Sequence, residues 1–274
     1  MKKSPLRYPG GKSRGMKFLK DFLPPFNELR EVFFGGGSFS FYCLQQLPGK
    51  TYKASDLNYE LYCFWTQLRN NTEALVQGVQ AIYDGYDAGK QLFIEIVARR
   101  NNELSELERA IDFYVLNRIT FSGVVDAGGY SEASFEGRFT QSSIDRLWET
   151  APLIQPIQFF CEDYSFLINE PGQDVLLFLD PPYYSATKSK LYGKKGILHT
   201  GFDHALLFQT LQASAHQWLV TYDNCAYIKN LYKDFYQVEW ELQYGMTNSG
   251  NNASVLGKEL LIANYDIASR IRNH

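Results

Sequence analysis

Short apolar runs alternate with amphipathic stretches along most of the chain. The runs typical of buried β-strands cover residues 31–34, 52–56, 157–161, 175–179 and 218–222. Helical spacing follows several of them, over residues 38–47, from Leu57 onward and over residues 205–215. This alternation predicts a mostly parallel sheet covered by helices on both faces. Two last runs, residues 238–244 and 259–264, flank a loop rich in Gly, Asn and Ser and predict an antiparallel hairpin that closes the sheet.

Residues 66–150 break this alternation. Helical spacing covers residues 92–100, 106–117 and 142–150, whereas residues 123–137 are rich in glycine and show no strand pattern. We therefore expect a second, mostly helical module at residues 66–150, inserted into a discontinuous α/β domain made of residues 1–65 and 151–274.

Composition narrows the class of protein. Hydrophobic residues make up 45% and charged residues 21% of the 274 positions, as in ordinary globular proteins. We expect neither a transmembrane helix, since no run reaches eighteen apolar residues, nor a signal peptide, since the basic start leads into Pro-Gly-Gly-Lys. Cys43, Cys63, Cys161 and Cys225 form no C-x-x-C pair. They predict reduced thiols in a cytoplasmic protein, without a zinc site or disulfide framework.

The distribution of charge is more informative than the net charge of −3. The first 30 residues hold eight basic and two acidic side chains, and residues 185–200 hold four lysines and no acid. Such clusters fit either a solvated surface or a site that neutralises phosphates. The choice depends on which motifs lie beside them.

A glycine-rich turn and an acid form the first candidate site. Gly35-Gly36-Gly37 follows a predicted strand and precedes a predicted helix, where the backbone can approach a nucleoside cofactor closely. Asp56 ends the next strand, where a carboxylate can accept both ribose hydroxyls. The alternative for Asp56 is to cap the following helix, and the two roles can coexist.

The second candidate is Asp180-Pro181-Pro182-Tyr183, directly after the apolar run 175–179. The prolines stiffen the turn and lack amide donors, so the Asp180 carboxylate and the Pro181 carbonyl are presented as acceptors. When an exocyclic amine donates both of its hydrogens to these acceptors, its nitrogen lone pair is freed from the ring. The lone pair can then attack an electrophilic methyl group. Tyr183 offers a face on which a planar base can stack. The alternative is a rigid turn in which Asp180 is a local cap.

Together these segments resemble the Dam-like, alpha-type N6-adenine-specific DNA methyltransferases. The matching motifs, in the family's order, are Tyr8-Pro9-Gly10-Gly11-Lys12, Phe33–Phe39, Ser55-Asp56-Leu57-Asn58 and Asp180–Tyr183. The resemblance spans nearly the whole chain. It implies a Rossmann-like S-adenosyl-methionine-dependent methyltransferase sheet with an inserted target-recognition domain.

The resemblance also implies roles for single residues. S-adenosyl-methionine would be bound by Tyr8, Lys12, Phe34, Gly35, Gly37, Asp56, Asp163 and Asp180. Catalysis would rest on Asp180, Pro181 and Tyr183, with no metal. Tyr8 stands where many relatives carry Trp, and a surface acid is the alternative for Asp163.

The inserted module resembles the family's DNA-recognition part. Asn117-Arg118 and Gly123 match the Asn-Arg-x-x-x-x-Gly stretch that opens the target-recognition hairpin, but the residues that follow depart from relatives that read GATC. Candidate DNA contacts are Arg118, Arg138, Lys188, Lys190, Lys194 and Lys195. The two arginines could instead pair with Glu132 or Glu136.

The resulting hypothesis is a site-specific methyltransferase that acts on the N6 amino group of a flipped adenine in double-stranded DNA. A cognate restriction endonuclease acting separately is a further expected partner, and no membrane is expected. The alternatives are methylation of cytosine N4, an RNA base or a glutamine amide, and a DNA-binding module without turnover.

Overall fold

A seven-stranded sheet forms the centre of the protein. The computed structural model describes residues 2–8, 10–184, 201–243 and 256–270. The strands are β1 (Glu28–Glu31), β2 (Thr51–Ser55), β3 (Ile157–Phe160), β4 (Val175–Leu179), β5 (Gln217–Asp223), β6 (Tyr236–Gln243) and β7 (Leu256–Ala263).

The strand order across the sheet is β3-β2-β1-β4-β5-β7-β6. The five strands from β3 to β5 pair in parallel, whereas β7 is antiparallel to both β5 and β6. The predicted parallel sheet and closing hairpin are therefore confirmed. Because β1 pairs with β2 on one side and β4 on the other, the order reverses there, and ligands of such folds bind at the carboxyl ends of the strands flanking this point.

Eleven helices occur in the described residues. They are α1 (Met16–Leu19), α2 (Ser38–Gln46), α3 (Tyr59–Asn70), α4 (Thr72–Gly85), α5 (Gly89–Arg99), α6 (Glu106–Ile119), α7 (Glu132–Arg138), α8 (Gln141–Ile154), α9 (Tyr164–Asn169), α10 (His204–Ala213) and α11 (Ala226–Leu231). Short 3-10 turns cover Lys12–Arg14, Lys20–Phe22, Phe121–Gly123 and Ala268–Arg270. None of the described helices has the length and apolar character needed to cross a membrane.

Strand β1 begins and ends three residues earlier than the apolar pattern predicts. Its charged side chains are buried because they are paired: the Arg30 guanidinium, fully buried, donates to Glu28 Oε1 (2.5 Å) and to the Leu167 carbonyl (2.8 Å). The apolar residues after Glu31 lie beyond the strand, although Val32 N still donates to the Phe178 carbonyl (3.3 Å) and Phe34 N to the Ser55 carbonyl (3.0 Å). A pattern based on hydrophobicity cannot recognise a strand whose buried charges are compensated.

The start of α3 and the presence of α7 also differ from the prediction. Helix α3 begins at Tyr59 rather than Leu57, because Asn58 Oδ1 accepts from the N–H groups of Glu60 (3.2 Å) and Leu61 (3.3 Å). Helix α7, capped by Ser131, occupies part of the glycine-rich stretch for which no element was predicted.

The hairpin implied after α6 is reduced to a single pair of residues. Between α6 and α7, all of which the structure describes, Thr120 and Tyr130 form an isolated antiparallel bridge.

Apolar side chains alternate between the two faces of the sheet and form two clusters. Leu176 and Phe178 of β4 point to one cluster, and Val175, Leu177 and Leu179 point to the other. The first cluster also contains α6 side chains from the inserted stretch. The division into residues 1–65, 66–150 and 151–274 stays a prediction, and both of its boundaries fall inside helices, α3 and α8.

Asn117, near the end of α6, ties the amino-terminal segment to the inserted stretch. Its side chain is buried, with Oδ1 accepting from Arg7 N (2.9 Å) and Nδ2 donating to the carbonyls of Arg7 (2.8 Å) and Gly123 (3.0 Å). The backbone that leads to Tyr8 is thus fixed by a helix more than a hundred residues away in sequence.

Replacing Asn117 by alanine is expected to lower the free energy of unfolding by about 2–4 kcal/mol, because buried backbone groups of Arg7 and Gly123 lose their partners. Urea denaturation measures the loss. The exposed Asn102→Ala is the control and should change stability by less than about 0.5 kcal/mol. Equal losses in the two variants would contradict this role for Asn117.

Candidate active site

A cavity of about 550 Å³ opens at the carboxyl ends of β1 and β4, where the strand order reverses. This volume lies in the range of small-molecule and cofactor pockets, about 300–1,000 Å³. Every predicted cofactor and catalytic residue lines it: Tyr8, Lys12, Phe34, Gly35, Gly37, Asp56, Asp163, Asp180, Pro181 and Tyr183. The fold therefore brings distant motifs to one site.

The glycine turn forms one wall of the cavity. Gly35 and Gly37 have positive φ angles of 47° and 65°, which side chains rarely adopt. A Cβ at Gly35 would lie 2.6 Å from Cε1 of Tyr8, and one at Gly37 would lie 2.4 Å from Cζ of Phe34. Glycine is thus required both for the turn and for the close contact with the two aromatic rings.

Asp56 connects β2 to this glycine turn. Its Oδ2 accepts from Gly35 N (2.9 Å) and its Oδ1 from Asn58 N (3.0 Å). Burial raises the pKa of Asp56, whereas the two N–H donors act in the opposite direction. The cap of α3 is Asn58, so Asp56 holds the turn rather than the helix, and its carboxylate still lines the cavity.

Asp180 follows β4 and forms an ion pair with Lys12. Lys12 Nζ lies 2.8 Å from Oδ1 and 2.9 Å from Oδ2, and Thr221 Oγ1 donates to Oδ1 at 2.7 Å. Lys12 is only 3% exposed, and its Nζ also donates to the Gly10 carbonyl (3.2 Å). It therefore contacts the Asp-Pro-Pro-Tyr turn as well as the cavity. Because Lys12 is buried, it does not belong to a solvent-facing basic surface.

The two tyrosines at the end of this turn are held by the neighbouring strands. The Tyr183 hydroxyl donates to Oε2 of Glu259 on β7, and Tyr184 N donates to Oδ1 of Asp223 on β5 (2.9 Å). Burial raises the pKa of the Tyr183 hydroxyl well above its ordinary value. No local sequence signal identifies Thr221, Asp223 or Glu259, since only strand pairing brings them to the turn.

Glu31, at the end of β1, is a buried acid that sequence analysis also missed. It lines the cavity, and its Oε2 accepts from Ser40 N (3.0 Å) and Ser40 Oγ (2.6 Å). Burial raises its pKa to about 8, and the nearby Asp180 and Asp56 act in the same direction. The side chain is therefore mainly protonated at neutral pH.

Asp163 lies directly before α9, at the edge of the cavity. Its Oδ1 accepts from Ser165 N (2.9 Å), so it is the helix cap, and the half-buried side chain also lines the cavity. Leu57 and Phe202 line the same cavity, and Leu57 is 51% exposed. Leu57 is thus a cavity residue rather than the first core residue of α3.

The two predicted arginine contacts differ sharply in exposure. Arg118 is 3% exposed, lies over the Tyr114 ring, and donates to Asn117 Oδ1 (2.8 Å). Burial, aided by neighbouring arginines, lowers its pKa to about 10. We therefore reassign Arg118 from a DNA contact to an internal contact, because its guanidinium does not reach the surface. Arg138 is exposed.

Four of the predicted DNA contacts belong to the basic stretch at residues 185–200. Lys188, Lys190, Lys194 and Lys195 lie outside the described residues. Within the described part of the chain, no group of three His, Cys, Asp or Glu side chains could hold a metal ion.

A doubly wound sheet with a cofactor-sized cavity at its reversal point is the arrangement of Rossmann-like nucleotide-binding enzymes. The family model for D12 class N6 adenine-specific DNA methyltransferases matches residues 8–246, and the chain belongs to this family. The chain is accordingly an adenine-specific DNA methyltransferase, and a methyl donor takes part in its reaction.

Curated relatives agree with this assignment at low identity. The Type II methyltransferase M.MjaIII of Methanocaldococcus jannaschii is 22% identical over 68% of this chain and 71% of its own. The Type II methyltransferase M.CviBI of Paramecium bursaria Chlorella virus NC1A is 24% identical over 95% of this chain and 98% of its own. A DNA adenine methylase of Vibrio cholerae is 23% identical over 65% of this chain and 64% of its own, so the match spans less than two thirds of that protein.

The pH dependence of stability tests the protonated state of Glu31. Glu31 ionises in the unfolded chain near its ordinary pKa of 4.5 but in the folded protein only near 8, so the wild type loses stability between these values as the pH rises. Glu31→Gln cannot ionise at this position. Over the same pH interval its free energy of unfolding should therefore decrease by at least about 1 kcal/mol less than that of the wild type.

Urea denaturation at several pH values provides the measurement. The exposed Glu149→Gln makes the same chemical change without a buried carboxyl and should follow the wild type. Parallel pH curves for Glu31→Gln and wild type would show that Glu31 has no raised pKa.

Proposed function

We propose that this enzyme transfers the methyl group of S-adenosyl-methionine to N6 of an adenine in a specific double-stranded DNA sequence. One observation carries the proposal: the acceptors of the Asp-Pro-Pro-Tyr turn share a single cavity with the glycine turn and Asp56. A reactive amine and a nucleoside-containing methyl donor can therefore meet at the carboxyl edge of the sheet.

The residues around the cavity fit S-adenosyl-methionine. Asp56 would accept the ribose hydroxyls, Asp163 or its backbone would meet the adenine, and Tyr8 and Lys12 would lie near the methionine part. Phe34, Gly35 and Gly37 shape the wall between them. When bound, the cofactor supplies an electrophilic methyl group on a sulfonium.

Asp180 and Pro181 would orient the target amine. Both hydrogens of N6 would be donated, one to the Asp180 carboxylate and one to the Pro181 carbonyl, which leaves the nitrogen lone pair directed at the methyl group. Asp180 Oδ1 already accepts from Thr221 and Lys12, so the amine would bind Oδ2 in competition with Lys12 Nζ. Transfer would join the methyl carbon to N6 and leave the donor as a neutral thioether, and the proton that N6 loses would pass to the Asp180 carboxylate that accepts its hydrogen bond. The protein mainly contributes alignment.

Access to the amine requires that the adenine leave the duplex, at a cost of a few kcal/mol. Tyr183 would stack on the flipped base, and this stacking is worth about 1–3 kcal/mol. Arg138 and the lysines from Lys188 to Lys195 would neutralise phosphates and position the duplex. The departure after Gly123 from relatives that read GATC favours a different recognition sequence. The proposal also includes a cognate restriction endonuclease that acts separately from this enzyme, and a cytoplasmic location.

The identity of the methylated nucleoside tests the reaction. Purified protein is incubated with tritiated S-adenosyl-methionine and plasmid DNA, and the product is digested to nucleosides. Label in N6-methyladenine is expected. Label in N4-methylcytosine would overturn the substrate while keeping the chemistry. Cofactor binding without labelled DNA would send the test to RNA and protein acceptors. A module without turnover would label none of them.

Asp180→Asn tests the catalytic carboxylate. The amide keeps the size of the side chain and an acceptor for Thr221, but its NH₂ group replaces one of the acceptor oxygens. We expect kcat to fall at least about a hundredfold, with cofactor affinity measured by calorimetry within about threefold of wild type. The exposed Asp145→Asn should leave both quantities unchanged. A kcat of Asp180→Asn within about tenfold of wild type would overturn the assignment.

A further inference from the structure

We propose that Glu259 is a positioning residue for methyl transfer, which fixes the Tyr183 ring against the target base through a hydrogen bond to the tyrosine hydroxyl. This inference rests on the proposed function, because it concerns how the base is held during that reaction. It assigns a role to a strand residue that lies outside the Asp-Pro-Pro-Tyr motif.

Glu259 and Tyr183 form an internal pair at the inner side of the cavity wall. Glu259 is 1% exposed, and its Oε2 accepts from the hydroxyl of Tyr183, 76 residues away in sequence. A carboxyl group buried this deeply is unfavourable unless it has hydrogen-bond partners. If this position on β7 only filled the core, Leu or Ile would be more favourable there. The acid is therefore explained by a specific contact of its carboxyl group.

Strand direction explains why Glu259 reaches the turn. Strand β7 runs antiparallel to β5, so its early residues lie at the edge of the sheet where β4 and β5 end. Glu259 pairs directly with Asp223, and directly opposed residues place their side chains on the same face of a sheet. Thr221 lies two residues before Asp223 and shares that face.

The side chains of Thr221, Asp223 and Glu259 each make a hydrogen bond to the Asp-Pro-Pro-Tyr turn or to the residue that follows it. Thr221 donates to the Asp180 carboxylate (2.7 Å), and Asp223 accepts from Tyr184 N (2.9 Å). Glu259 adds the contact to the Tyr183 hydroxyl. The first two contacts fix an acceptor and the backbone. Of these three contacts, that of Glu259 acts at the outer end of the Tyr183 side chain, and it therefore fixes the position of that end of the ring.

A fixed ring position matters for stacking. Lys12 Nζ lies 4.9 Å from the centre of the Tyr183 ring, so one ring face is near a cation and the hydroxyl end is near the carboxyl of Glu259. A ring held at both places loses little freedom when a base stacks on it. Without the hydroxyl contact, the outer end of the ring can move and the base loses its alignment with the methyl donor.

Four variants test the inference by methyl transfer to plasmid DNA that the wild type labels. Glu259→Leu removes the acceptor and Tyr183→Phe removes the donor, so each should lower kcat on the order of tenfold while the cofactor Kd stays within about twofold. Glu259→Gln keeps an acceptor of the same size and should restore kcat to within about threefold of wild type. The double variant Glu259→Leu with Tyr183→Phe should be no slower than either single variant, because both remove the same bond.

A buried control separates positioning from stability. Ile262→Ala removes a fully buried side chain from β7. Ile262 belongs to the apolar cluster on one face of the sheet, whereas Leu261, which shares its face with Glu259, belongs to the cluster on the other face. It should lower the Tm without lowering kcat at a temperature well below that Tm. If Ile262→Ala lowers kcat as much as Glu259→Leu does, the effect of Glu259 is one of stability alone and the inference is wrong.

The outcomes for the two proposals differ. Wild-type protein that labels no DNA, RNA or protein refutes the proposed function and with it this role of Glu259. Wild-type protein that labels DNA, together with an equally fast Glu259→Leu, refutes only the role of Glu259. Should Glu259→Leu fail to fold, Tyr183→Phe removes the same bond from the other side, and an unchanged kcat in that variant overturns the inference.

Discussion

The ion pair between Lys12 and Asp180 is the interaction on which the site depends. Burial and the sheet bring the carboxyl groups of Glu31, Asp56 and Asp180 to one cavity, and Lys12 is the one basic side chain among the described residues that line it. Burial raises the pKa of Glu31 to about 8, and the nearby Asp180 and Asp56 act in the same direction. Lys12 Nζ lies 2.8 Å from Oδ1 of Asp180, so the ion pair offsets one of the negative charges at the cavity.

The sheet supplies the remaining contacts through its strand directions. Parallel strands β1, β2 and β4 end at one edge and deliver the glycine turn, Asp56 and Asp180. The antiparallel strand β7 then brings Glu259 back to that same edge. A sheet with only parallel strands would place the early residues of its last strand at the opposite edge. The closing hairpin is therefore part of the site as well as the end of the fold.

The sequence predicts well those parts of the site that are encoded within a few residues. The glycine turn, Asp56 and the Asp-Pro-Pro-Tyr turn are local motifs, and all of them line one cavity. Glu259 gives no such signal, because an acid in a strand is normally solvated and only the pairing of β7 with β5 shows its contact. The prediction of a DNA contact at Arg118 has a related weakness. The last residues of α6 are buried on every side, so helical spacing could not show that the Arg118 guanidinium points inward.

The arrangement around Asp180 also explains how the carboxylate can exchange partners without losing its orientation. Lys12 bonds both oxygens, whereas Thr221 bonds only Oδ1. If Lys12 alone fixed the carboxylate, an amine that displaced it from Oδ2 would also free the group to rotate. Because Thr221 is part of β5 and holds Oδ1 at 2.7 Å, the plane of the carboxylate stays fixed when the partner of Oδ2 changes. The strand beside β4 would therefore keep the acceptor aimed into the cavity if the amine displaced the cation, as the proposed function requires.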